Sequence, residues 1–264
     1  MSIAKALRDR WRELSIAATV IAVMIAIVWY LLENPYNQTF GHTVTEVPLR
    51  AKFVALTFDD GPNPPYTDEI VEYLHQQNVP ATFFVVGMAV EKYPQSVKRE
   101  VEYGDAVGNH SWDHAHLVLE TKGHIRHELQ ATDDAIVKAC GVHTNLFRPP
   151  FGARDYAVVQ VAHSMGYQVI MWSVPLPRDW EQPSPRVIAD RVLKHVENGS
   201  IIVLHDGNKG RGGNRQPTVE ATKLLVQDLR ARGYQFVTVP ELIALGVSTE
   251  TTPQPSGEDA GEPP

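Results

Sequence analysis

The chain has 264 residues, with 24 Lys and Arg against 31 Asp and Glu, a formal net charge of -7 and 43% hydrophobic residues. That length allows one large domain or two small ones, and the acidic balance argues against a nucleic-acid binder. The single cysteine excludes an internal disulfide framework and any thiolate-rich zinc site, whereas 11 histidines leave ample imidazole for metal binding or acid–base work.

The two ends differ from the middle. Leu14–Leu32 reads LSIAATVIAVMIAIVWYLL and carries no charge. As a helix it rises roughly 28 Å, against a hydrocarbon core of about 30 Å. Lys5, Arg8, Arg10 and Arg12 precede it, partly offset by Asp9 and Glu13, and Trp29 and Tyr30 stand near its far end. The positive-inside rule predicts a single-pass anchor over 14–32, with residues 1–13 cytoplasmic and everything beyond Glu33 exported. A cleaved signal peptide needs a shorter apolar core and a small-residue cleavage site, which a stretch ending Trp-Tyr-Leu-Leu does not offer. Residues 33–50, with Pro35, Gly41 and Pro48, read as a polar linker, and 248–264 as an acidic, Pro-rich disordered tail. About 195 residues, 51–247, remain for one domain.

Within that domain strand-like and helix-like stretches alternate. Strands are predicted at Lys52–Phe58, Ala81–Gly87, Asp105–His110, Asn145–Arg148, Tyr167–Trp172, Ser200–Leu204 and Tyr234–Val239. Helices are predicted at Tyr66–Asn78, Thr121–Gly141, Tyr156–Met165, Ser184–Asn198 and Pro217–Arg232, the second ended by Gly141. The alternation indicates a parallel α/β fold. An eight-unit barrel takes about 250 residues, so a distorted barrel of six or seven units fits better, with an open doubly wound sheet as the fallback. No G-x-G-x-x-G follows the first strand, so a dinucleotide cradle is missing.

Reactive side chains gather where predicted strands end: Asp59 and Asp60 after the first, His110 and His114 after the third, Arg148 at the fourth, Asp179 and Trp180 after the fifth, His205 after the sixth. In α/β barrels those ends build the active site. Adjacent carboxylates on extended chain diverge, so Asp59 and Asp60 can divide proton transfer from metal binding, although Asp-Asp-Gly-Pro is also an ordinary turn sequence. His110 and His114, spaced as on one helical turn, supply two imidazoles, with His116 as a competitor. One aspartate and two histidines would leave positions open for water, the build of a catalytic metal site. The loop 207–215 lacks the G-K-[ST] ending of a phosphate-binding loop and reads as solvated, or as cations that steer an anionic substrate. Cys140 reads as a small core residue, and His124, His127, His163 and His195 as surface or satisfied groups.

TFDDGP (57–62), HSWDH (110–114), RPPFG (148–152), RDW (178–180) and VLHDG (203–207), in that order, resemble the NodB-homology polysaccharide deacetylases of carbohydrate esterase family 4. The resemblance runs from about Lys52 to Leu245, and the motifs are specific together rather than singly. It implies a distorted (β/α)7 barrel of the NodB-homology type, here preceded by one N-terminal transmembrane helix. It also implies removal of N-acetyl or O-acetyl groups from polysaccharides with one divalent metal, Zn2+ in the usual case and Co2+, Mn2+ or Ni2+ as alternatives. Carried over by position, Asp60, His110 and His114 hold the metal and Asp59 is the general base. His205 is the acid for the leaving amine, oriented by Asp179, and Arg148 orients and charge-balances the base. The Phe151 backbone N–H joins the oxyanion site, and Trp180 and Leu204 wall the acetyl methyl. The fourth motif departs from the usual D-x-x-D-W: Val174-Pro175-Leu176-Pro177-Arg178-Asp179-Trp180 lacks the first Asp, which bears on groove shape. The expectation is a membrane-anchored, extracytoplasmic deacetylase of a GlcNAc-containing polysaccharide, peptidoglycan ahead of chitin oligomers, with no nucleic-acid or protein partner. An O-deacetylase of xylan or exopolysaccharide and a catalytically silent glycan-binding protein are the alternatives.

Overall fold

In the computed structural model, which describes residues 3–174 and 177–250, the apolar run Phe53–Asp59 forms strand β1 in the interior of the sheet. Around it lie β2 (Thr82–Val85), β3 (Ala106–Asn109), β4 (Leu146–Phe147), β5 (Gln168–Val169), β6 (Ser200–His205) and β7 (Gln235–Phe236). Their order is β5-β4-β3-β2-β1-β6, with β7 also on β1, and every pairing is parallel. The sheet curls into the (β/α)7-type half-barrel expected from the sequence. Helices α2 (Tyr66–Gln76), α3 (Gly87–Lys92), α4 (Pro94–Glu102), α5 (Lys122–Cys140), α6 (Tyr156–Ser164), α7 (Pro185–Leu193) and α8 (Gln216–Ala231) lie between strands in the chain.

Strand alternation separates two layers of core. Ala55, Phe84, Leu146, Ile170 and Ile201 pack together inside the barrel. Val54, Leu56, Phe58, Phe83, Val85, Ile202 and Leu204 pack outward with apolar residues of the surrounding helices. Three elements are not predicted from the sequence. Helices α3 and α4 are short, and α4 starts at Pro94 in a polar stretch. A further helix, α9 (Val239–Glu250), begins where the seventh strand was expected to end, and its Val239 and Leu242 join the inner core. Glu250 thus ends a helix inside the segment read as tail, and residues 251–264 of that tail lie outside the described residues.

The N-terminal helix α1 runs from Ile3 to Glu33. Its Asp9–Glu33 part has a mean hydropathy of 2.4 over its most apolar window and is the one described helix long and apolar enough to cross a membrane. The polar linker after it is built into the barrel. Val44 pairs in parallel with Ile170 and Glu46 antiparallel with Ser200, so residues 44–47 fill the gap between the free edges of β5 and β6. Two apolar residues among polar ones give no strand period, which is why the sequence reads as spacer. Gly199 makes this closure possible: at φ +79 it brings its α-carbon so near the Val47 carbonyl that a Cβ would sit 1.6 Å from the oxygen. Gly199→Ala is therefore expected to cost about 2–4 kcal/mol of stability, read from denaturant unfolding.

Candidate active site

The last inward position of β1 is Asp59, and beneath it on the same face lies Thr57. Arg148, at the end of β4, reaches both: its Nη1 donates to Asp59 Oδ1 at 2.6 Å and to Thr57 Oγ1 at 2.7 Å. Nη2 donates to the Met171 carbonyl at 3.0 Å, and the guanidinium lies 4.0 Å over the Phe84 ring. Arg148 is 0% exposed. Burial lowers its pKa and Asp59 opposes that, so the pair survives in the barrel as a charge-assisted contact. With Oδ1 committed, Asp59 Oδ2 faces His110, 4.0 Å from its Nε2.

Asp60, at φ 78, turns its carboxylate to the histidines. Its Oδ1 lies 3.0 Å from His114 Nε2 and 3.6 Å from His110 Nε2. The expected helical turn at 110–114 is absent. Ser111 (φ 65) and His114 (φ 62) are left-handed, and the turn is held by Asn109 Oδ1 accepting from Ser111 N–H and Glu128 Oε2 from Trp112 N–H. The imidazoles converge by a loop reversal rather than by helical pitch. His110 Nδ1–H donates to the Arg148 carbonyl at 2.7 Å, which leaves Nε2 as the lone-pair nitrogen toward Asp60.

One donor atom from each of Asp60, His110 and His114 falls within 4.8 Å of the others, and all three residues are buried. Asp60 Oδ1 accepts no hydrogen bond and has no access to solvent. A buried anionic oxygen without a donor is costly, and a divalent cation among these N/O donors would satisfy it. Burial pushes Asp60 upward, but His110 and His114 outweigh it and hold the carboxyl well below the usual range. Burial also lowers His114, which favours the neutral, ligating imidazole. The residues fit a metal. His116 lies outside this trio: its ring stacks on Phe151, 5.3 Å between centroids.

At the end of β6, His205 Nδ1 meets Asp179 Oδ1 at 2.9 Å while its backbone N–H donates to Asp179 Oδ2 at 2.7 Å. Thr218 Oγ1 donates to the same Oδ2 at 3.0 Å. Burial disfavours the imidazolium, but the Asp179 carboxylate overrides it and raises His205 to about 9. Asp59, Asp60, the three histidines, Phe151, Trp180 and Val203 line one cleft of about 540 Å³. Trp180 stands edge-on to His205 at 5.1 Å. Phe151 sits at φ 62 in the turn after Arg148, its ring edge-on to His114 with 4.5 Å between centroids. Leu204 is the exception. It belongs to the outward face of β6 and is buried in the helix-facing core, so the cleft wall at this strand is Val203.

A polysaccharide deacetylase family model matches residues 46–170. A peptidoglycan-N-acetylglucosamine deacetylase of Bacillus cereus is 36% identical over 214 residues, 81% of this chain and 98% of that protein. The chain belongs to the polysaccharide deacetylase family. A chitooligosaccharide deacetylase of Rhizobium leguminosarum bv. trifolii is 35% identical over 80% of this deacetylase and 98% of its own length. Among solved structures, a peptidoglycan N-acetylglucosamine deacetylase in complex with an N-hydroxybenzamide superposes with TM-score 0.70 at 32% identity, covering 75% of this chain and 91% of the other. A family pseudoenzyme from Bacillus anthracis superposes with TM-score 0.71 at 29% identity, covering 77% of this chain and 69% of the other.

Several residues around the deacetylase cleft have a structural role that the sequence alone did not assign to them. Asp206 follows His205 and is buried, accepting from Thr67 Oγ1, and its backbone carbonyl accepts from Asn63 Nδ2 at 3.0 Å. Burial raises it to about 7 despite the Thr67 contact, with Asp60 adding to the rise. The loop 207–215 is a wall rather than free chain: buried Arg215 Nε donates to the Gly207 carbonyl, and Lys209 lies 4.9 Å over the Phe151 ring. Pro175 and Leu176 of the divergent fourth motif lie outside the described residues.

Proposed function

We propose that this deacetylase removes N-acetyl groups from a GlcNAc-containing cell-wall glycan, outside the cytoplasm, with one bound divalent cation. The observation that carries the reading is the opposition of two proton-handling groups across the Asp60–His110–His114 donor set: Asp59 paired with Arg148, and His205 held as imidazolium by Asp179. The presence of this complete set argues against a silent member of the family.

Asp60, His110 and His114 would hold the cation, which would polarise the acetyl carbonyl and acidify a water. Asp59 Oδ2 takes a proton from the attacking water as its oxygen adds to the acetyl carbon, and Arg148 keeps the carboxylate in place. The Phe151 backbone N–H is assigned to the carbonyl oxygen as negative charge develops there. His205 Nε2 then gives its proton to the sugar nitrogen as the C–N bond breaks, releasing acetate and a free amine. An amide nitrogen leaves only when protonated, so an imidazolium here favours N-acetyl over O-acetyl substrates. Trp180 and Val203 bound the space left for the methyl group.

The names of the two relatives favour a GlcNAc polymer, and α1 favours a single-pass anchor that keeps the domain near the envelope. The test uses the full chain in detergent with GlcNAc oligomers, peptidoglycan and acetylxylan. Acetate is expected from the first two, lost with chelator and restored by Zn2+. No acetate from any substrate by metal-loaded protein would leave the glycan-binding reading, and preference for acetylxylan would leave the esterase.

A further inference from the structure

The chain just beyond α1 is not a passive tether. Arg154 is fully buried, and the described ion pairs give it no carboxylate partner. Instead Nη2 donates to the carbonyls of Asn34 (2.8 Å), Pro35 (3.1 Å) and Asn37 (2.8 Å), and Nη1 to Gly152 (3.0 Å). Its backbone N–H donates to Leu32 at 3.0 Å. A buried guanidinium whose Nη atoms meet only carbonyls, with Nε left without a partner, is an expensive way to hold a loop, and no neutral side chain would reach four carbonyls from one point. It ties the segment to the turn that carries Phe151. Tyr36 adds a second tie, its hydroxyl donating to the Ser173 carbonyl at 2.9 Å.

A run of rings makes a separate connection: Trp29 on α1 meets His116 at 5.6 Å, His116 stacks on Phe151 at 5.3 Å, and Phe151 meets His114 at 4.5 Å. The result is that Glu33, the last residue of α1, lines the catalytic cleft together with Asp60, Phe151 and Trp172. Glu33 also lines an adjoining recess of about 320 Å³ with Pro35, Tyr36, Phe151 and Trp172. Aromatic faces beside a carboxylate suit a pyranose, whose C–H face packs on a ring while its hydroxyls donate to the acid.

We propose that the segment leaving α1 forms a glycan subsite of the cleft, with Arg154 as the positioning residue that seats it and Glu33 as the specificity-determining acceptor for hydroxyls of the sugar flanking the reacting one. The proposal rests on the deacetylase reading above. It makes the anchor's end part of the substrate site, so a glycan is bound beside the membrane-spanning helix.

The test compares Glu33→Ala, Arg154→Met and the double variant, in the full chain with Zn2+, on GlcNAc oligomers of increasing length. Each single variant is expected to raise KM for long oligomers by about three- to tenfold with kcat within about twofold, because uniform binding is lost and chemistry is not. The shortest oligomer should show no KM change. The double variant should be no worse than Arg154→Met, since both act through one contact. Amides 34–44 should exchange hydrogen faster in Arg154→Met and as in wild type in Glu33→Ala. Unchanged KM in Glu33→Ala, or additive effects in the double variant, would overturn the subsite. If Arg154→Met does not fold, Glu33→Ala and Glu33→Gln across oligomer lengths still decide. If wild type releases no acetate, the deacetylase reading fails on its own, and the same ordering of oligomer Kd values tests the subsite.

Discussion

Asp60→Ala is expected to purify without bound Zn2+ and to lose acetate release by about a thousandfold or more, whereas Asp59→Asn keeps the metal and loses turnover by about a hundredfold to ten-thousandfold. The two carboxylates are adjacent in sequence, so the contrast isolates role from position. Asp60 Oδ1 is the atom both histidine Nε2 atoms approach, at 3.0 and 3.6 Å, and its removal leaves two imidazoles without the anion that completes their set. Asp59 instead spends one oxygen on Arg148 at 2.6 Å. Asn keeps an acceptor for that guanidinium and removes only the basicity. Asp59→Ala is the harsher variant, because it strands a fully buried cation, a loss worth about 3–5 kcal/mol of stability. Metal content by elemental analysis and acetate release on one preparation decide the matter. Asp59→Asn at wild-type rates would remove Asp59 from the base role, and full zinc occupancy in Asp60→Ala would remove Asp60 from the ligand set.

What the sequence made legible follows from which physics is local. Seven parallel strands were readable because buried β-branched runs such as Phe53–Asp59 need no tertiary partner to be recognised. The site motifs were readable because each is contiguous in the chain, four of them at a strand end and Arg178–Trp180 in a short turn well after β5. Facing was less secure. Leu204 and Val203 are neighbours, and a period of two puts one in the cleft and the other under the helices; only the position of His205, inward at the strand's end, fixes which. The 110–114 turn shows the same limit. Spacing by four suggested a helix, but the side chains that shape the loop, Asn109 and Glu128, sit outside the motif. Non-local too are the contacts of Arg154 with the 34–37 carbonyls, about 120 residues apart in sequence, and of Glu46 with Ser200. No local pattern encodes such pairs, and they are what turns a nominal linker into barrel wall and cleft.

His205→Ala is expected to cut deacetylation of GlcNAc oligomers by about a hundredfold to ten-thousandfold and to remove the alkaline limb of the kcat/KM profile. The sign of that limb follows from the pair. Burial alone would push His205 down, and Asp179 raises it to about 9, so the acid form prevails at neutral pH and is lost as pH rises through that value. A divalent cation in the cleft favours the neutral imidazole and shifts the limb toward lower pH without reversing it. The same linkage makes the His205–Asp179 contact fully stabilising below the ordinary histidine value and lost as pH climbs through about 9. Asp179→Asn keeps an oxygen for His205 Nδ1–H but deletes the charge, leaving burial unopposed. The alkaline limb should then move to lower pH by about one unit or more, and kcat/KM at pH 8 should fall by about tenfold or more. An activated aryl acetate separates proton donation from mere support of the cleft, because its phenolate leaves without a proton. On that ester His205→Ala should retain activity within about tenfold of wild type while amide cleavage collapses. Equal losses on amide and ester would mean that His205 shapes the site rather than protonating the nitrogen.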